Sequence, residues 1–210
     1  MRPIAVIAAA LIVGACSSVP SHPAPGSASG APTVTSVAPP SVAVDCGKPA
    51  TAVQQLVCAD PHLTNLDHQL QAAYHQALAR TGADPAALTN AQTSWTTARD
   101  GCAQNADLHT CVLEAYQTRL VQLAIADPAT AAPPVVSYRC PPDAGPLTAQ
   151  FYNQFDPKTA VLNWKGNQEI LFLLPSGSGA RYGRQGAEYW EHQGEVTLDF
   201  NGTKFVCSTS

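Results

Sequence analysis

Hydrophobic residues between positions 46 and 126 recur at intervals of three and four, which is the spacing of an amphipathic helix. Three such stripes follow one another, over residues 63–78, 88–102 and 108–123. The first two begin at Asp60-Pro61 and Asp84-Pro85, where the aspartate can cap a helix and the proline fits the first turn. A short helix is expected before them, around residues 49–57. The pattern predicts a small helical domain.

From about residue 137 to residue 207 the period changes to two, which indicates β-strands. Residues 160–164 and 169–174 flank a Lys-Gly-Asn-Gln turn signal, and residues 196–200 alternate before Asn201-Gly202, a dipeptide typical of tight hairpins. Further strand candidates are residues 147–152 and 188–190. Short antiparallel strands of this kind predict a small barrel or sandwich. The expected fold class is α+β in two separate domains, the helical one first.

The amino terminus has the features of an export signal. Ten apolar residues, 4–13, follow Arg2 and lead into Val13-Gly14-Ala15-Cys16, which resembles a bacterial lipobox. We therefore expect a signal peptide over residues 1–15, lipid on Cys16, and a protein anchored in the cell membrane that faces the periplasm or the cell surface. An ordinary signal peptide with an incidental cysteine is the alternative.

Two segments rich in proline and small residues divide the remaining chain. Residues 16–45 hold the lipidated cysteine and a tether rich in Pro, Ser and Ala, which cannot form a core. Residues 127–136 contain a second proline-rich break and are expected to link the domains. The helical domain is therefore placed at residues 46–126 and the β domain at residues 137–208.

The chain has seven cysteines, and assigning Cys16 to lipid leaves six. Six thiols in an oxidising compartment suggest three disulfides, for which fifteen connectivities are possible. A zinc site would require closer cysteine spacings than those present. We expect the pairs that join neighbours in the chain within each domain, which are Cys46–Cys58, Cys102–Cys111 and Cys140–Cys207.

The charge of the chain argues against a nucleic-acid partner, and its hydropathy argues against a membrane-spanning helix. The formal net charge is −4 and the pI is about 5.8, so the basic surface that binds nucleic acid is not expected. No apolar run approaches the roughly 20 residues of a membrane-spanning helix. Membrane attachment is expected only through the lipid.

A glycine-rich segment, Pro175-Ser-Gly-Ser-Gly-Ala-Arg-Tyr182, stands out in the β domain. Gly177 and Gly179 permit backbone angles that other residues avoid, so we expect a tightly shaped loop with Ser178 and Arg181 at its tip. A connection without function is the alternative from composition alone.

Further motifs accompany this loop, namely Tyr138-Arg-Cys140, Tyr189-Trp190, Gly194-Glu195 and Phe205-Val-Cys207. Together they resemble the MliC family, bacterial envelope inhibitors of c-type lysozyme. The resemblance covers about residues 137–208 and implies a small antiparallel β-barrel whose partner is lysozyme.

The helical region carries its own set of motifs, which are Cys46, Cys58-Ala-Asp-Pro-His-Leu63, Asp67, Tyr74, Trp95, Arg99-Asp-Gly-Cys102, Cys111 and Tyr116-Gln-Thr-Arg-Leu120. They are similar to the N-terminal domain of LprI-type proteins. A lipobox, this module and an MliC-like barrel together resemble the LprI lipoproteins. The resemblance implies an inhibitor that blocks host lysozyme and so evades host defence.

An inhibitor that blocks the lysozyme active site needs groups that bind the carboxyl groups of the enzyme. The enzyme cleaves glycan with two carboxyl groups in a cleft, one protonated and one ionised. In the family, the second serine of the loop and a lysine fourteen residues later are directed at them, which corresponds to Ser178 and His192. The lysine is thus replaced, and residues 191–194 hold one residue more than the family pattern, so Arg181 is an alternative cation. The expected lysozyme-binding residues are Ser178, Gly179, Arg181, Tyr182 and His192.

Catalysis, metal binding and a cofactor are not expected. The three glutamates within residues 188–195 could be imagined as a glycosidase pair, but carboxylates on a strand usually form a solvated face. Histidines 62, 68 and 75 are better explained as surface residues of a helix than as metal ligands. Two other functions stay open: a non-catalytic envelope scaffold or cell-wall-binding lipoprotein, and an enzyme that acts on peptidoglycan.

Overall fold

The computed structural model describes residues 43–209, so the expected signal peptide, the lipidated Cys16 and nearly all of the expected tether lie outside the described residues. Within 43–209, helices precede strands, and the α+β fold class with a helical and a β-barrel domain is confirmed. The helices are α1 (Ala52–Ala59), α2 (Pro61–Ala79), α3 (Pro85–Gly101) and α4 (Leu108–Ile125), with a 3-10 turn at Cys102–Gln104. The strands are β1 (Val136–Arg139), β2 (Leu147–Tyr152), β3 (Thr159–Trp164), β4 (Asn167–Leu174), β5 (Ala180–Arg184), β6 (Ala187–His192), β7 (Glu195–Phe200) and β8 (Thr203–Thr209).

Side chains cap the four α-helices at their amino termini, and the two Asp-Pro signals mark the starts of α2 and α3. The Asp60 carboxylate accepts from the backbone N–H groups of His62 and Leu63, which satisfies donors that a helix start leaves free. The sequence therefore places these helix starts correctly.

A buried polar network joins the helices around Asp67. The Tyr116 hydroxyl of α4 donates to the Asp67 carboxylate of α2 at 2.7 Å, and the Val44 N–H donates to its other oxygen at 3.0 Å. The Arg99 guanidinium of α3 donates to the Tyr116 hydroxyl and lies over the Trp95 ring. Burial raises the pKa of Tyr116, so this hydroxyl stays protonated and keeps its donor role.

The three disulfides are present in the pairs that the chain order suggested. Two of them close the helical region, across α1 and across the turn before α4. The third, Cys140–Cys207, joins the end of β1 to β8 and spans 67 residues.

The eight strands form one closed antiparallel barrel in chain order. Closure is made by β1 and β8, where Tyr138 pairs with Thr209 and Arg139 with Ser208. A barrel is thus present rather than a sandwich. Its interior is filled by apolar and aromatic side chains, and the buried hydroxyls of Tyr138 and Tyr189 hydrogen-bond to each other at 2.9 Å.

Two details of the strands differ from the sequence expectation. The turn expected over residues 165–168 is shorter, because Trp164 pairs with Asn167 and only Lys165-Gly166 lies between the strands. Both turn residues have positive φ, 51° and 80°, as a two-residue hairpin turn requires. The second difference is that β1 and β5 were not among the strand candidates, since both are short and lack regular alternation.

The helical region and the barrel share a small apolar cluster and fall in one compact unit. The cluster packs α4 against the outer face of the barrel and contains Val121, Ile125, Tyr152, Phe155, Val161, Ile170 and Phe172. Polar contacts add to it: both Glu114 oxygens accept from the backbone N–H of Gln185 at 3.0 Å, and the Asn105 amide donates to the Gln185 side chain. The two domains therefore have separate cores but a common interface.

No helix in residues 43–209 has the length and hydropathy needed to cross a membrane. The same residues contain no group of three or more His, Cys, Asp or Glu side chains arranged to hold a metal ion.

Candidate functional site

The strand order of the barrel determines which connections lie together. In an antiparallel barrel, alternate connections lie at the same end, so residues 153–158, 175–179 and 193–194 share one end, which we call the loop end. The short turns at 165–166, 185–186 and 201–202 share the other end. The polar contacts of α4 and the preceding turn with Gln185 are made at that other end.

The glycine-rich loop connects β4 and β5 at the loop end, and residues 175–179 are exposed. The carbonyl oxygen of Ser178 accepts two hydrogen bonds, one from the Ser176 hydroxyl at 2.5 Å and one from the Trp190 indole N–H at 3.2 Å. The loop backbone at Ser178 is therefore bound both within the loop and to the barrel, although the residue itself is exposed.

Gly179 ends the loop in a position that only glycine fits. Its φ is +70°, and a Cβ built on it would lie 1.9 Å from the carbonyl oxygen of Glu191 on β6. Gly177 differs, because a Cβ there has nothing within 4 Å. The loop thus approaches the β6 backbone closely at one residue, which restricts its conformation.

His192, which the family resemblance places at the position of a lysine, lies at the end of β6. Its ring stacks on Trp190, with centroids 5.7 Å apart and an interplanar angle of 24°. The additional residue of this chain is accommodated in the turn, because His192 pairs with Glu195 and Gln193-Gly194 form a two-residue turn with positive φ. His192 is therefore the next residue after Trp190 on the same face of β6.

Arg181 was expected at the tip of the loop, and this expectation is wrong. Arg181 lies within β5, paired in register with Trp190. Its guanidinium donates to the Glu188 carboxylate at 2.5 Å, so its charge is already paired on the barrel surface. The reason is that the strand begins at Ala180, immediately after Gly179.

Tyr182 was also expected to contact lysozyme, but its side chain is buried inside the barrel. It packs against Phe151 and Tyr189, with ring centroids at 5.5 and 6.1 Å. Burial raises the pKa of Tyr182, which is the behaviour of a neutral core hydroxyl. Side chains alternate across a strand, so Arg181 faces outward and Tyr182 inward.

The structure thus brings Ser178, Gly179 and His192 together around Trp190. The Tyr189-Trp190 motif does not predict the contact of Trp190 with the loop. Residue spacing likewise does not predict the pairing of Glu188 with Arg181. The alternation of residues 187–192 predicts that Glu188, Trp190 and His192 share one face of β6, but their partners follow from the pairing of β5 with β6.

Two family models match the two regions of the chain separately. A family model described as membrane-bound lysozyme inhibitor of c-type lysozyme (MliC) matches residues 138–206, and one described as lysozyme inhibitor LprI matches residues 46–123. A crystal structure of Pseudomonas aeruginosa MliC in complex with hen egg white lysozyme is similar over 37% of this chain and 81% of that chain, at 26% identity and a TM-score of 0.32.

Curated relatives match over the whole chain. The proteins named lipoprotein LprI from Mycobacterium tuberculosis and Mycobacterium bovis are each 63% identical over 210 residues, which is 100% of this chain and 100% of theirs. Both resemblances drawn from the motifs are confirmed. This chain belongs to the LprI lipoprotein family.

Proposed function

We propose that this protein inhibits c-type lysozyme by inserting the exposed part of the 176–182 loop, residues 176–179, into the active-site cleft. The observation that supports this most directly is the exposed Ser178 on a loop whose backbone is held from two sides. Both family models that match the chain describe lysozyme inhibitors. The protein acts by binding, and no catalytic step is assigned to it.

The chemistry of the cleft explains why an exposed serine on a fixed loop suits this role. Lysozyme has one ionised and one protonated carboxyl group in a narrow cleft. The Ser178 hydroxyl donates to a carboxylate there, and a hydrogen bond to a charged group in a desolvated site is stronger than a neutral one. A loop that is already ordered loses little conformational entropy on binding.

His192 is the preferred second contact. Its ring stacks on Trp190, whose indole N–H donates to the Ser178 carbonyl oxygen, so both residues contact Trp190 at the loop end. Arg181 is the weaker choice, because its guanidinium is paired with Glu188 and would have to leave it. An imidazole donates a hydrogen bond in either protonation state, and adds a positive charge when protonated.

The place of action follows from the lipid anchor. We propose that the mature chain is exported, lipid-modified on Cys16 and attached to the cell membrane, facing the periplasm or the cell surface. The whole-length relatives are named lipoproteins, which supports this location. An inhibitor tethered there meets lysozyme at the envelope that the enzyme attacks.

One observation favours a second candidate function. Where the family has a lysine, this chain has His192, so a permanent positive charge is lost. The second candidate is therefore an envelope scaffold or cell-wall-binding lipoprotein that does not inhibit. A turbidity assay of lysozyme with and without the purified protein, repeated with a soluble glycan substrate, separates the two, since an inhibitor slows both reactions and a wall-binding protein cannot shield the soluble substrate.

Replacing Ser178 with Ala removes the proposed donor to the lysozyme carboxylate. Loss of such a hydrogen bond costs about 1.5–3 kcal/mol, so the inhibition constant is expected to rise about tenfold or more. Ser94→Ala is the matched control, because Ser94 is an exposed serine on α3. Equal inhibition by Ser178→Ala and Ser94→Ala in the turbidity assay would contradict the proposed contact.

The two loop glycines provide a test of loop shape. Gly179→Ala places a Cβ against the Glu191 carbonyl and forces alanine into a positive φ, which alone costs about 1–2 kcal/mol. We expect inhibition to weaken more than about tenfold, while Gly177→Ala, with open space around its Cβ, inhibits nearly as the unaltered protein does. Melting temperatures of both variants show whether the barrel stays folded. Full inhibition by folded Gly179→Ala would mean that the loop conformation does not matter.

The histidine that replaces the family lysine predicts a pH dependence. An ordinary imidazole is charged only below about pH 6.5, whereas lysine stays charged to about pH 10. If His192 contacts an anionic cleft, the unaltered protein and His192→Lys should bind lysozyme similarly at pH 5, and the lysine variant should bind more tightly at pH 8. The dissociation constants of both proteins are measured by calorimetry with the same lysozyme, so that the effect of the enzyme's own titration largely cancels in their ratio. A ratio that stays constant between pH 5 and pH 8 would rule out this contact.

A further inference from the structure

We propose that Trp190 is a positioning residue, which holds the peptide that follows Ser178 and so sets the direction of the Ser178 side chain. This inference rests on the proposed function, because it assigns Trp190 a role in preparing the inhibitory loop. It assigns no contact with lysozyme to the indole N–H itself.

The position of Trp190 on the barrel makes this role possible. Trp190 lies on the outer face of β6, in register with Arg181 on β5 and Thr197 on β7. Trp190 is 38% exposed and is not part of the barrel's interior cluster, and its indole N–H points at the loop rather than at the barrel. Stacking of the ring on His192 adds a second contact that fixes its orientation.

The geometry at Ser178 explains how a bond to the backbone controls the side chain. The Ser178 carbonyl and the Gly179 nitrogen belong to one planar peptide unit. Trp190 and the Ser176 hydroxyl hold the oxygen of this unit, and the close approach of Gly179 to Glu191 holds the other side. With the peptide plane fixed, the Ser178 Cα–Cβ bond can change direction only by rotation about the Ser178 Cα–C bond, and the turn closed by the Ser176 hydroxyl restricts that rotation.

The two donors to this carbonyl are not equivalent. Ser176 belongs to the loop and moves with it, whereas Trp190 belongs to β6 and connects the loop to the barrel. Removing the indole N–H therefore leaves a loop that keeps its internal turn but is bound less firmly to the barrel. The partly exposed ring suggests a competing role, direct contact of the Trp190 ring with lysozyme.

Trp190→Phe separates the two roles, because phenylalanine keeps an aromatic face and loses the N–H donor. We expect the inhibition constant to rise about three- to tenfold, the effect of one neutral hydrogen bond. In the free protein, the amide ¹⁵N relaxation of residues 177–179 should show increased motion, with no change in melting temperature. Val206→Thr is the control, since Val206 is an exposed apolar residue on β8 paired with Thr197, and should change neither quantity.

A double-mutant cycle with Ser178→Ala completes the test. If Trp190 acts through Ser178, Trp190→Phe should weaken inhibition by Ser178→Ala no further. An equal loss in both backgrounds, or unchanged loop relaxation in Trp190→Phe, would overturn the positioning role. The relaxation measurement needs no lysozyme, so it tests the positioning role separately from the proposed function. If Trp190→Phe increases the loop motion but Ser178→Ala inhibits fully, Trp190 still positions Ser178 and the proposed inhibitory contact is refuted.

Discussion

Closure of the barrel between β1 and β8 is the constraint on which the candidate site depends. Within residues 43–209 two register pairs join these strands, and the Cys140–Cys207 disulfide reinforces them. A cross-link across a loop of this size stabilises the folded chain by roughly 4 kcal/mol through the entropy of the unfolded state. A closed barrel fixes β4, β5 and β6 relative to one another, and these are the strands that carry the glycine-rich loop and Trp190.

The helical region supports the barrel without covering the candidate loop. α4 packs on the outer face of β2, β3 and β4 through the shared apolar cluster, and Glu114 and Asn105 hold Gln185 at the end opposite the loop. Burial at this interface raises the pKa of Glu114, while the hydrogen bond that its carboxylate accepts from the Gln185 N–H lowers this pKa. The exposed residues 175–179 are thus presented by a scaffold larger than the barrel alone.

Local signals in the sequence were sufficient for most of the fold. The Asp-Pro pairs marked two helix starts, and Asn201-Gly202 marked the β7–β8 hairpin, because caps and tight turns depend on a few neighbouring residues. Strand β5 was missed because Ala180–Arg184 contains two arginines and a glycine and shows no apolar alternation. Gly183 suits the strand nonetheless, since the Leu174 side chain covers it, and that contact is set by strand pairing.

The candidate site was predictable only in part, for the same physical reason. The glycines around Ser178 predict an exposed loop with a restricted backbone conformation. The positions of the Arg181 and Tyr182 side chains, however, depend on where β5 begins. Trp190 contacts the loop twelve residues away through the pairing of β5 with β6. Such contacts follow from the register between strands, which local spacing does not determine.

Hydrogen–deuterium exchange of the protein with and without c-type lysozyme tests insertion of the loop without altering a residue, because it maps the contact surface. Loop insertion predicts slower exchange on binding in residues 175–179 and in the neighbouring Gln193-Gly194 turn. Exchange in α2 and α3 and in the turns at 185–186 and 201–202 should not change. Protection confined to the helices or to those turns, with residues 175–179 unaffected, would contradict insertion of the loop into the lysozyme cleft.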